Sequence, residues 1–389
     1  MGISKDDFLL SEEYTHLNHG SFGACPKELF EDYQKWQVKL ERDPVHFFTK
    51  EGIDKLNDSK VALGNYINCD PDDLVFTTNP TYAINIIAKS FKLSPGDEIL
   101  ATNHEYGALD RTWNYYCNKA GAKYIQQEIP IPLESKEAFI EAFWKGYNSN
   151  TKAIFISQIT SMTALKFPVK EICEKAKSLG LITIVDGAHV PGHIPLNLNE
   201  LQADIYTGAC HKWMLTPKGC SFLYVTKSIQ DNFDPVIISW GYQADAPGKS
   251  KFLDYHQQQG TRDYSAFLTV PKAIEFLNKN NWKEVSNHCN QLILNNYESL
   301  CSLVGSEPIC PVTSEFLGQI CSVPVSVKNN DPTLLKDVLF DQFKIEIPVF
   351  KLREHIFMRL STQVYVTQKD IDYLKEALTQ IKNSTDILQ

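Results

Sequence analysis

From about residue 70 to 225 the chain alternates short β-rich runs with helical patterns, an order that few architectures accommodate. LVFTT (74–78), EILAT (98–102), AKYIQQ (122–127), AIFIS (153–157), LITIVD (181–186) and ADIYTG (203–208) read as strands. Between them, PTYAINIIAKSF and PVKEICEKAKSLG carry apolar residues at i, i+3 and i+4, as helices covering a sheet do. The alternation predicts an α/β fold with a mainly parallel, doubly wound sheet and ligands gathered at the carboxyl ends of its strands. Residues 226–265 carry Gly, Asp, Pro and a QQQ run and read as an irregular connector. Beyond about residue 267 the pattern becomes helix, strand, strand, helix. VPKAIEFLNKNNW and KEVSNHCNQLILNNYESLC are amphipathic, whereas QICSVPVSV, FKIEIPVF and IFMRLSTQ are strand-like. This predicts a large ligand-binding domain over 26–265 and a small α+β domain over 266–389. Residues 1–25 are expected to pack on the small domain and the site entrance.

A chain of 389 residues suits a large domain joined to a smaller one. The net charge of −9, with no local basic cluster, argues against a nucleic-acid partner. No apolar run approaches the length of a membrane span, and MGISKDDFLLSEEY is too polar and acidic for a signal peptide. The ten cysteines show no repeated spacing and read as reduced thiols, so the cytoplasm is the expected location. No CxxC pair exists, and Pro191 and Gly192 interrupt the His189/His193 pair, so no metal site is expected.

The chemistry centres on DIYTGACHKWMLTPKG, in which Lys212 follows His211 and an apolar β-type run lies on either side. Partial burial would lower the lysine pKa and make its amine a nucleophile and later a base. Asp186 ends LITIVD, and Gly187-Ala188 allow a close approach to a ligand. One lysine and one aspartate at strand ends are what a pyridoxal-phosphate enzyme needs: the lysine carries the cofactor as a Schiff base and the acid keeps its ring nitrogen protonated. His189 could reach the ring oxygen or be a satisfied strand-end histidine. In TTNPTYAIN, Asn79 is a good N-cap and Pro80 a good first helical residue. The free N–H groups there, with the Thr81 hydroxyl, could cradle a phosphate, although an ordinary capped helix has the same signature. Tyr106 in NHEYGALDRTW, just past a strand as is His104, could stack on the cofactor, shuttle a proton or simply pack in the core. Arg359 could grip a substrate carboxylate with its planar fork or lie at the surface.

Taken together these segments resemble the class V aminotransferase family of fold-type I pyridoxal-phosphate enzymes, and within it the isopenicillin N epimerase-like group. The likeness runs in order through LNHGSFGACP (17–26), TTNPTYAIN, NHEYGA, ITSMTALKFPV, VDGAHVPG, TGACHKWMLTPKG, QGTRD and RLSTQVYVTQKDIDYL (360–375). It implies a mainly parallel sheet of seven-stranded type with a smaller α+β C-terminal domain, and pyridoxal 5'-phosphate as cofactor. By this resemblance Lys212 is the cofactor lysine, Asp186 the pyridinium partner, His189 the neighbour of the ring hydroxyl and Tyr106 the stacking aromatic. Asn79, Thr81 and His211 would hold the phosphate. Gly260 and Thr261 would serve the neighbouring subunit's phosphate in a homodimer with shared sites. Arg359 would bind the substrate carboxylate, and Asn18 and His19 would line the entrance or tether the N-terminus. Cysteine desulfurases of the class carry a cysteine on a loop before the C-terminal arginine. EIPVFKLREHIFMR (346–359) contains none, and Cys321 lies well upstream. Desulfurases also commonly place an asparagine where Ser161 stands.

The implied substrate is an amino acid as a small molecule, and Lys212 is the natural base for its Cα proton. Expulsion of a β-substituent would make the enzyme a C–S lyase. Reprotonation from the other face, with Tyr106 a candidate acid, would make it an epimerase, and proton transfer to the cofactor carbon an aminotransferase. The resemblance favours lyase or epimerase. Class V transamination is the alternative, ahead of cysteine desulfuration and of a cofactor-binding protein without turnover.

Overall fold

The apolar runs become a seven-stranded sheet whose strands, apart from the edge strand at 123–127, are buried on both faces, which is why they read as nearly continuous hydrophobic stretches. The structure is a computed structural model and describes residues 2–389. In chain order the strands are β1 (Thr15–His16), β2 (Leu74–Thr77), β3 (Glu98–Thr102), β4 (Lys123–Gln127), β5 (Thr151–Ser157), β6 (Ile182–Asp186), β7 (Ile205–Ala209), β8 (Ser221–Val225), β9 (Ile320–Pro324), β10 (Ile345–Glu346), β11 (Val349–Leu352) and β12 (His355–Ser361). The large sheet has the order β2-β8-β7-β6-β5-β3-β4. Only β8 runs against the others, paired antiparallel with both β7 and β2. The predicted, mainly parallel α/β sheet is therefore present, and the chain reverses direction across the loop that carries Lys212.

Alternate residues of each strand face opposite cores. Val75, Ile99, Phe155, Ile184, Ile205 and Leu223 join one cluster, in which Ile84, Ile87 and Trp113 come from the covering helices. Phe76, Leu100, Ile154, Val185, Tyr206 and Phe222 face the other, which continues without a break into the C-terminal part of the chain. There β11-β12-β9 form an antiparallel sheet. The Trp282–Val304 helix presents Val285, Cys289, Leu292, Tyr297 and Leu300 as a buried stripe and packs against β9 and the Gln368–Ser384 helix. The latter begins with a capping box between Thr367 and Asp370.

Two stretches differ from the sequence expectation. Residues 226–265 are not a bare connector: the Lys251–Gln257 helix buries Phe252, Leu253 and Tyr255 and packs against β2. FKIEIPVF is not one strand but two, because Pro348, which has no N–H to give a ladder, separates β10 from β11. β10 pairs in parallel with β1, so residues near the N-terminus are stitched to the C-terminal part of the chain. All ten cysteines are free thiols, so no disulfide contributes to the fold.

Candidate active site

Every strand of the large sheet except β8 points its carboxyl end at the same edge, and a cavity of about 470 Å³ opens there. That volume lies within the roughly 300–1,000 Å³ typical of small-molecule sites. Asp186 and Ser157 reach it from the last positions of β6 and β5, which are paired in register. Tyr106 reaches it from just beyond β3, Lys212 from just beyond β7, and Asn79 to Thr81 from the helix start after β2.

Lys212 Nζ lies 3.2 Å from His189 Nε2. Burial, and secondarily the Arg359 cation, push the Lys212 amine down to about 8, against a smaller upward pull from Asp186. Burial pushes the Asp186 carboxyl up, opposed by the Ala188 N–H that it accepts at 2.9 Å and by Lys212. Asp186 thus lies at the cavity wall with no ion-pair partner among the described residues, a place for a cationic N–H ring. The amine has a pH consequence. The neutral form is the nucleophile, so in cofactor-free protein the rate at which Lys212 captures pyridoxal phosphate should rise about tenfold per pH unit below the midpoint. It should flatten above a midpoint near 8, and stopped-flow absorbance reads it directly. A rate still climbing at pH 10 would mean an ordinary exposed lysine.

Arg359 comes from the middle of β12 and is 4% exposed. Its Nη1 donates to the Ser161 carbonyl at 2.5 Å and hydroxyl at 3.2 Å, and its Nη2 donates to Ser21 Oγ at 2.7 Å. Its Nε has no partner, and no carboxylate pairs with it among the described residues. Burial lowers its pKa to about 10, which leaves it cationic at neutral pH. A buried cation satisfied only by neutral groups is a receptor for an anion.

The expectation that Asn18 and His19 line the entrance does not hold. His19 is fully buried; its Nδ1 contacts Tyr365 Oη at 2.9 Å and its Nε2 the Lys212 carbonyl at 3.1 Å. Asn18 accepts from Ser21 Oγ at 2.5 Å and lies outside the cavity wall. The tether reading fits both, and Gly20, Ser21 and Phe22 form the wall instead. The turn at Gly23, which has φ +69°, lies close against the lysine loop. A Cβ there would stand 2.2 Å from the His211 carbonyl oxygen.

At the far end of the cavity, Asn79 caps the Pro80–Ser90 helix by accepting the Tyr82 N–H at 2.8 Å. Thr78, Thr81 and His211 share this wall. His211 Nδ1 is held by the Cys220 carbonyl at 2.7 Å, and burial pushes the ring down to about 4. Gly260 and Thr261 are exposed and do not line the cavity of their own chain. Their segment is anchored by Gln259, whose Oε1 accepts from Tyr82 Oη at 3.2 Å and from Arg262 at 3.1 Å.

Three contributors escaped the sequence reading. Ser21 is one. Trp213 is another, its indole N–H 3.3 Å from His189 Nδ1. The third, Glu105, is 1% exposed and accepts from Thr102 Oγ1 at 2.6 Å, Ser157 N at 2.8 Å and Ser157 Oγ at 2.5 Å. Burial pushes its carboxyl up to about 8. Its one sequence signal was its place beside Tyr106 past a strand end. His104, by contrast, turns away and bonds Thr163 and the Ile129 carbonyl. A second groove of about 650 Å³ lies along residues 192–196 and the start of the Trp282–Val304 helix. No Asp or Glu lines it among the described residues, and Lys166 and Lys283 are its charged side chains, so acid, base and cation do not converge there. Among the described residues no cysteine lines the 470 Å³ cavity.

The donor set fits pyridoxal phosphate: a helix start for the phosphate, a carboxylate without an ion-pair partner for the ring nitrogen, an amine of lowered basicity for the aldehyde, and a guanidinium without a carboxylate partner in the same cavity wall. Comparison with known proteins agrees. Residues 26–374 match the family described as Aminotransferase class-V. The chain is 30% identical over 390 residues to an isopenicillin N epimerase of Amycolatopsis lactamdurans, covering 97% of this chain and 98% of that one. It is 27% identical to a probable chloroplastic L-cysteine desulfhydrase of Arabidopsis thaliana, covering 94% and 82%. In structure it resembles the apo cysteine desulfurase of Thermococcus onnurineus NA1, with TM-score 0.82 at 20% identity over 97% and 96% of the two chains. This chain therefore belongs to the class V aminotransferase family, enzymes of fold type I that depend on pyridoxal phosphate.

Proposed function

We propose that this enzyme acts at the α-carbon of an amino acid whose side chain carries sulfur, with β-elimination of the C–S bond as its reaction. The observation that carries the reading is one amine of lowered basicity, Lys212, facing an unneutralised buried cation, Arg359, across a cavity with no cysteine in its described wall. Bound pyridoxal phosphate supplies an electron sink that makes the Cα proton of an attached amino acid removable. Arg359 binds the substrate carboxylate through its fork, and Asp186 accepts the ring N–H. Lys212 removes the Cα proton and can return it to the departing sulfur, so one base suffices. Persulfide transfer would need a thiol within reach of the substrate. Cys321 is buried in β9 with its thiol pushed well up by burial.

Epimerisation is the second reading. It needs an acid on the other face, and Tyr106, 43% exposed in the cavity wall, is the candidate. The relatives named isopenicillin N epimerase and L-cysteine desulfhydrase support the pair of readings over transamination. We further infer a homodimer in which Gly260 and Thr261 reach the partner's phosphate end. Gly260 lies beside the turn through Ser239, which carries exposed Ile238, Trp240 and Tyr242, apolar side chains of the kind a second subunit covers.

Holoenzyme incubated with a panel of L-amino acids in heavy water separates these outcomes. Ammonia with a keto acid is the expected result for a sulfur amino acid. Deuterated product of inverted configuration would mark an epimerase, and conversion of the cofactor to its amine form a transaminase. No turnover of any sulfur amino acid would overturn the substrate reading.

A further inference from the structure

We propose that Trp213 is a positioning residue that fixes the tautomer of His189, so that this imidazole meets the cavity as a hydrogen-bond donor. A neutral imidazole has one N–H and one lone-pair nitrogen, and which is which follows from its partners. An indole N–H can only donate. Trp213 Nε1 donates to His189 Nδ1 at 3.3 Å, so Nδ1 holds the lone pair and the proton sits on Nε2. Nε2 is the nitrogen that faces the cavity, 3.2 Å from Lys212 Nζ. His189 stays neutral because burial, then the nearby Lys212 and Arg359 cations, with His193 and His19 adding a little, all disfavour its charged form.

The indole is itself held. Trp213 is fully buried, its ring 4.0 Å from that of His193 and 4.9 Å from that of His19. His193 has the opposite tautomer. Its Nδ1 donates to the His189 carbonyl at 2.8 Å and its Nε2 accepts the Gln319 N–H at 2.6 Å. The backbone of His189 is thus anchored from one side while its ring is polarised from the other. Before the cofactor binds, and above the Lys212 midpoint near 8, the Nε2–H donates to the lone pair of the neutral lysine amine. Afterwards the same N–H is available to an anionic oxygen placed beside that lysine, which rests on the cofactor reading above.

The test begins on cofactor-free wild-type protein labelled with ¹⁵N-histidine, so it does not depend on that reading. Long-range ¹H–¹⁵N correlation should show His189 as the Nε2–H tautomer at pH 9 and above, where Lys212 is neutral. An Nδ1–H tautomer in the folded wild type at that pH overturns the proposal without any variant. In Trp213→Phe, Nδ1 loses its donor and the Nε2–H form should no longer dominate. In the reconstituted variant the pH midpoint of the visible cofactor band should move up by roughly one unit, the size set by one lost buried hydrogen bond. It moves up because an anionic oxygen without its donor holds a nearby proton more tightly. A folded Trp213→Phe protein with unchanged tautomer and band midpoint refutes the role while leaving the cofactor reading standing. If the wild type forms no Lys212-linked band, the cofactor reading fails while the NMR result still judges Trp213.

Discussion

Lys212→Ala should leave a folded protein that has lost the visible band of the bound cofactor and at least about 10³-fold in kcat. General-base catalysis alone accounts for roughly 10²–10⁴, and the variant loses the covalent tether as well. The fold should tolerate the change. The Lys212 side chain makes one hydrogen bond, to His189, whereas its backbone carbonyl, which holds His19, is retained. Removing an amine whose proton affinity burial has already lowered also removes a desolvation cost. Borohydride treatment of the wild-type holoenzyme should leave a pyridoxyl mass on the peptide containing Lys212, and the variant should show none. Activity within tenfold of wild type would sink the assignment, because no other lysine lines the cavity among the described residues.

Arg359→Ala should lower kcat/KM by about 10²–10³, mostly through KM, the size expected when one partner of a buried charge pair is removed. The guanidinium is buried, cationic and unpaired at Nε, and its bonds to Ser161 and Ser21 aim it while leaving its charge uncompensated. Arg359→Lys should recover part of the loss, since a point charge replaces the fork but cannot bond Ser161, Ser21 and a carboxylate in one plane. Amine substrates lacking a carboxylate should be indifferent to both changes. Steady-state kinetics on substrate pairs with and without that group decides it. A kcat/KM within threefold of wild type for carboxylate substrates would mean that the anion is bound elsewhere.

The residues legible in the sequence share one property: their signal is local. Asp186 closes an apolar run, Asn79 precedes a proline at a helix start, and Lys212 with His211 forms a polar pair between two buried runs. What was missed depends on contacts between distant parts of the chain. Ser21 matters because Arg359 lies against it, 338 residues away, and nothing in NHGSFG says so. His19 was misplaced for the same reason, since Tyr365, 346 residues on, claims its Nδ1 and draws the ring inward. Trp213 is next to Lys212 in the chain, but its indole N–H acquires a role only once residues 189 and 213 pack together. The seven-stranded sheet was visible because two-sided burial imposes continuous apolar runs. The split between β10 and β11 was not, although Pro348 marks it.

The stitching of β1 to β10, with Ser21 against Arg359, has a consequence for synthesis on the ribosome. Domains fold largely in the order in which they emerge. Here residues 15–21 leave the tunnel long before their partners in β10 and β12 are made. The large sheet can close, and Lys212 can meet Asp186, while the entrance wall still waits for its anchor. The Arg359 part of the cavity is therefore completed only after the large sheet is in place.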